Sequence, residues 1–171
     1  MKTKIIYGML AICLLWACSK DSNSEDMTSG SPSFKFDIVG EGGNKTLSGD
    51  NIVFNSTITD AKDIDGTTPI EINSLAIVAQ APQGDKVASV LISITDRDWV
   101  AAGTHNLGTD ILENYNAVVT YWDDTSGPIT VIAHDGFIKL DTRTDSKVSG
   151  SINASGGNTT ITGTFVAPNK N

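Results

Sequence analysis

The chain is poor in cysteine, histidine and aromatic rings. Its two cysteines, Cys13 and Cys18, both lie near the start, its histidines are His105 and His134, and aromatic residues make up 6% of the 171. So few soft ligands argue against a structural zinc site. No Gly-x-Ser-x-Gly elbow is present, and no cysteine past Cys18 could serve as an activated nucleophile. His134-Asp135 is the one neighbouring histidine–acid pair. Consecutive residues on a strand face opposite ways, so His134 reads as a polar surface side chain. Gly156-Gly157 lacks the lysine of a phosphate loop, and no other stretch matches a cofactor motif. Basic residues are also scarce: 12 Lys and Arg face 20 Asp and Glu, a formal charge of −8 without a basic cluster. That balance argues against nucleic acid as a partner, because such binding rests largely on Lys and Arg at phosphates.

Long apolar runs are missing as well, apart from one. Lys2 and Lys4 precede residues 5–16, which carry no charge, and a strongly polar stretch starts at Ser19. The run falls short of the about 20 apolar residues a spanning helix needs. A basic start followed by a short apolar segment is the pattern of a secretory leader, here residues 1–17. The junction Leu15-Trp16-Ala17-Cys18 resembles the lipobox of bacterial lipoproteins, with an aliphatic residue three before the cysteine and a small one directly before it. Trp16 stands where that family usually has a small residue. The resemblance implies that Cys18 takes a diacylglycerol thioether and becomes the first residue of the mature protein. Two or three acyl chains on one residue give stable anchoring, which a single chain does not.

Loss of such a leader removes Cys13, Lys2 and Lys4, so the formal charge moves from −8 to −10 and no intramolecular disulfide can form. Stability then has to come from the apolar core. Residues 18–32 are polar and turn-rich, a flexible tether with a reach of about 20 Å. Cys18-Ser19-Lys20-Asp21 is similar to the surface-export signal of Bacteroidota lipoproteins. This implies lipid-anchored display on the outer face of the outer membrane, the periplasmic face being the alternative.

From Ser33 onward the apolar spacing is two. Phe34, Phe36 and Ile38 alternate with Lys35 and Asp37; Ile52, Phe54 and Ile58 share a parity; Val90, Ile92 and Ile94 alternate likewise. Further strands are predicted around Ile70 and Ile72 and over residues 116–122, 129–133, 137–140, 147–154 and 159–166. Turn clusters at residues 40–44, 60–69, 81–85, 125–128 and 155–158 separate them. The segments 147–154 and 160–167 share a pattern of apolar, hydroxyl, glycine, hydroxyl, apolar, as adjacent strands joined by a tight turn would. The predicted fold is a single all-β domain, residues 33–168, with residues 169–171 as a tail. It is an antiparallel β-sandwich or closed β-barrel of about eight or nine strands. One turn of helix at residues 98–102 is the most that the pattern allows.

The runs Ala101-Ala-Gly-Thr-His-Asn-Leu-Gly108, Gly136-Phe-Ile-Lys-Leu-Asp141 and Ile161-Thr-Gly-Thr-Phe165 resemble a group of small β-rich Bacteroidota surface lipoproteins. His105 stands where that group usually has an aromatic. The group has no established activity, so the resemblance implies a β fold and a surface lipoprotein, and nothing catalytic.

Two loops carry candidate chemistry. Asp60, Asp63 and Asp65 place three carboxylates around Gly66, oxygen ligands of a kind that suits calcium. Aligned on Gly66, an EF-hand would need acids where Ala61 and Ile72 stand, so the loop reads as a solvated acidic turn. Tyr121, Trp122, Asp123 and Asp124 close a predicted strand, where one ring should face inward and the other outward. An exposed ring beside carboxylates suits a glycan or a loop of an envelope protein; alternatively both rings pack over the end of the domain. The sequence therefore reads as an envelope lipoprotein with a non-enzymatic ligand-binding or structural β domain and no cofactor. The alternative is a small envelope hydrolase using loop carboxylates. If Cys18 is the anchor, Cys18→Ala will leave the protein soluble or as an unprocessed precursor; unchanged membrane fractionation and gel mobility would refute it.

Overall fold

The computed structural model describes residues 31–40, 43–63, 65–109, 114–123 and 127–170. The expected leader, most of the expected tether, Cys18 and Asp124 lie outside the described residues. Among these there is no helix, and the expected helical turn at residues 98–102 is irregular backbone. The strands, in chain order, are β1 (Ser33–Val39), β2 (Lys45–Gly49), β3 (Ile52–Lys62), β4 (Pro69–Gln83), β5 (Lys86–Asp96) and β6 (Gly103–Asn106). They continue with β7 (Gly108–Thr109), β8 (Asn114–Asp123), β9 (Gly127–Ala133), β10 (Asp135–Arg143), β11 (Lys147–Gly156) and β12 (Thr159–Pro168).

All pairings between these strands are antiparallel, and they form two sheets. The first has the order β2-β1-β12-β11-β10-β6; the second runs β3-β4-β5-β8, with the far edge of β8 shared by β7 and β9. Each sheet keeps its own edge strands, so the closed barrel is not formed. The expected eight or nine strands become twelve because β2, β6 and β7 are too short to show a period. Another correction concerns residues 81–85: β4 continues to Gln83 and the turn is only Gly84-Asp85.

One apolar core lies between the sheets. Phe34, Phe36 and Ile38 of β1 are buried, while Lys35 and Val39 face solvent, as strand alternation requires. Phe36 stacks on Phe34 at 5.5 Å and meets Phe165 at 6.5 Å. From the second sheet Phe54, Ile77, Ile92, Val119 and Tyr121 point into the same core. Ile58, which shares the parity of Ile52 and Phe54, is nonetheless 59% exposed. The burial of β3 stops near Phe54 although the strand runs on to Lys62.

A single residue, His134, separates β9 in the second sheet from β10 in the first. At this corner backbone crosses backbone. A β-carbon on Gly156 would collide with the Ile132 carbonyl, and one on Gly136, at φ +104°, would collide with the Asn153 carbonyl. The His134 N–H donates to the Ser155 carbonyl at 3.2 Å, and the Leu107 N–H donates to Gly136 at 2.9 Å. At the chain end, Asn169 bridges Phe54 and the Lys170 N–H donates to the Phe54 carbonyl at 3.0 Å, so these residues lie along the β3 edge. Gly156→Ala should destabilise the protein by about 1–3 kcal/mol through overpacking. Gly108→Ala, which meets nothing within 4 Å, should change stability by less than about 0.5 kcal/mol. Urea denaturation of both variants checks the contrast.

Candidate functional site

The β4–β5 hairpin turns at Gly84, whose φ of +66° suits glycine, and the end of β8 runs alongside it. The last β5–β8 pair is Ser89 with Thr120. Beyond it, side chains replace the ladder. The Trp122 N–H donates to Gln83 Oε1 at 2.8 Å, and Gln83 Nε2 donates back to the Trp122 carbonyl. Trp122 Nε1 donates to the Val87 carbonyl at 3.2 Å, and Lys86 Nζ sits 4.5 Å from the ring centroid. Such a cation–π contact contributes about 0.5–1 kcal/mol at an exposed position.

The two aromatics part as neighbours on a strand should. Tyr121 is fully buried, whereas Trp122 lies half-buried on the outer face with the Lys86 ammonium at its ring. Asp123 closes β8, and with Asp124 outside the described residues the expected meeting of ring and carboxylates is not on view. Sequence reasoning missed Gln83, Lys86 and Val87. They stand more than thirty positions from Trp122, and only strand register brings them to it. Val87 also borders a shallow pocket of about 180 Å³ with Asp50, Asn51, Gln80 and Pro82. That is smaller than the roughly 300–1,000 Å³ of ligand cavities, so the hairpin end offers a surface more than a chamber.

The three loop carboxylates have separate surroundings. Asp60 is an exposed residue of β3. Asp63 pairs with Arg97 at 3.1 Å. Asp65 accepts from the N–H of Thr67 at 2.7 Å, the N–H of Thr68 at 2.9 Å and the Thr68 hydroxyl at 2.6 Å. These donors, the Thr68 hydroxyl foremost, hold the Asp65 carboxyl well below the usual carboxylate range. Among the described residues no group of three His, Cys, Asp or Glu is placed to hold a metal ion.

A second cation–aromatic group lies elsewhere. The Arg143 guanidinium lies 4.3 Å from the Trp99 ring centroid and 5.2 Å from that of Phe54. Burial lowers its pKa, and Asp145 opposes the shift. The two histidines stay apart. His105 Nε2 lies 3.0 Å from the Ala101 carbonyl, while the exposed His134 stands 3.9 Å from the exposed Asp135.

No known protein family, curated protein or solved structure matches the chain.

The acidic turn makes a pH-dependent prediction. A carboxyl whose folded pKa is depressed stabilises the fold above its unfolded value of about 3.9, and this contribution is lost as the pH falls below that value. Asp65→Ala should therefore lower the melting temperature at neutral pH, and its gap to the parent should close as the pH drops below about 4. In the same assay EDTA should leave the parent unchanged. A fall of several degrees would make the loop a metal site.

Proposed function

We propose that the chain is an envelope lipoprotein, anchored through Cys18, whose two sheets stack as a β-sandwich acting as a non-enzymatic binding or structural module. The proposal includes membership of the small Bacteroidota surface lipoproteins, with the domain held clear of the outer membrane by residues 18–32. A glycan or an envelope protein is the proposed ligand, and Trp122 the centre of its contact.

The observation that carries this reading is the fixed ring of Trp122. Its N–H is already satisfied by Val87, its backbone is clamped by Gln83, and Lys86 adds a positive charge at its face. A preorganised aromatic beside a cation loses little conformational freedom on binding and can accept a sugar face or an acidic loop. The hydrolase reading gains no such support, since Asp63 pairs with Arg97 and Asp65 serves the turn.

Trp122→Ala tests the assignment. Tryptophan fluorescence, read against a panel of soluble glycans and envelope extracts, should lose its ligand response, while stability should fall by only about 1 kcal/mol. A stability loss of about 3–5 kcal/mol would identify Trp122 as a core residue and overturn the site.

A further inference from the structure

The outer face of the second sheet carries a feature that no local stretch of sequence contains. Strand register places Val53 opposite Val78, Val78 opposite Leu91, Leu91 opposite Val118 and Val118 opposite Ile132. Five aliphatic side chains thus form one transverse row across β3, β4, β5, β8 and β9. Ile132 is 60% exposed and the other four are half-buried. The rows on either side are uncharged as well. One holds Gln80, Ser89, Thr120 and Thr130; the other holds Ala76, Ser93 and Asn116. Beyond the first lie Pro82 opposite Val87, and Trp122 opposite Pro128.

The outer face of the first sheet is different. There Lys35, Thr164, Ser151, Lys139 and Thr104 lie in one row, and Asp37 stands in the next. Lys139 pairs with Asp141 at 2.7 Å and Asp37 accepts from the Thr46 hydroxyl at 2.6 Å. Charge is spread over one outer face and kept off the central rows of the other.

We propose that this uncharged face binds a second copy of the same chain. Two arguments select that occupant. Copies of a protein with a formal charge of −8 repel one another, so they can meet closely only where charge is absent. The face also complements itself. A two-fold axis lays the aliphatic row on its own image, and the flanking rows of hydroxyls and amides bring no charge into the contact. A charged partner would find nothing to pair with on these three central rows. Strand and residue spacings give the patch roughly 600 Å². Two copies would then bury about 1,200 Å², the lower bound of stable specific interfaces.

The inference rests on the face and not on the lipid anchor, and the test separates the two. Membranes carrying the full-length Thr120→Cys protein are treated with a short bis-maleimide, with Ser151→Cys, on the opposite sheet, as control. A species of twice the monomer mass is expected from Thr120→Cys and not from Ser151→Cys. Leu91→Lys added to Thr120→Cys should abolish it. Ile132→Lys, at a position exposed in the single chain and so compatible with folding, should do the same. A doubled species from both cysteine positions, from neither, or unaffected by both lysines overturns the proposal, as does an adduct of any other mass. The parent protein is the blank: cross-linking there reports a free Cys13 or Cys18 and counts against the anchor, leaving the face to be judged on the excess from Thr120→Cys.

Discussion

The crossing of backbone over backbone at the β9–β10 corner governs the rest of the domain. Where the Ile132 carbonyl passes Gly156, the sheets approach so closely that no side chain fits. This contact fixes how the second sheet lies over the first, and therefore which side chains share the core. Phe36, Phe54, Ile92 and Tyr121 can all be fully buried only if the two sheets keep one mutual placement. Tight packing makes such a core intolerant of even small shifts. No cysteine occurs among the described residues, so glycine and the hydrogen bond from the His134 N–H to the Ser155 carbonyl hold the corner.

Much of the inner architecture was legible because it depends on a period of two. Phe34, Phe36 and Ile38, and Val90, Ile92 and Ile94, are buried where alternation put them. The hairpin of β11 and β12, read from their shared pattern, forms with Gly156 opposite Thr159. Alternation gives parity but not extent. Ile58 has the right parity and lies beyond the core, and β2, β6 and β7 have too few residues to show a period. The parting of Tyr121 and Trp122 followed from the same rule. The ring's partners did not, since Gln83 and Lys86 reach Trp122 only through the pairing of β4, β5 and β8.

The aliphatic row was hidden for a related reason. Val53, Val78, Leu91, Val118 and Ile132 each interrupt an otherwise polar outer face, and a single exposed aliphatic residue is ordinary on any protein surface. Their meaning lies in alignment, which is a property of register. The charge pattern is likewise invisible to composition. A formal charge of −8 predicts repulsion between copies but not where repulsion is weakest.

An exposed aliphatic face risks uncontrolled association, and the way its edges are treated bears on what it can do. Open strand edges invite another chain to extend the sheet without limit. Here the row ends on β3, where Asn169 bridges Phe54 and the Lys170 N–H occupies the Phe54 carbonyl. At the other end it meets β9, whose Pro128 has no amide proton to donate, and the chain leaving that strand donates from His134 to Ser155 of the first sheet. Both edges beside the row are therefore partly closed while the face stays open. Contact through a face is satisfied once two copies meet, because each covers the other's row completely. Contact through an edge creates a new edge each time. Blocking the edges and clearing the face of charge favours a closed pair over an open-ended array.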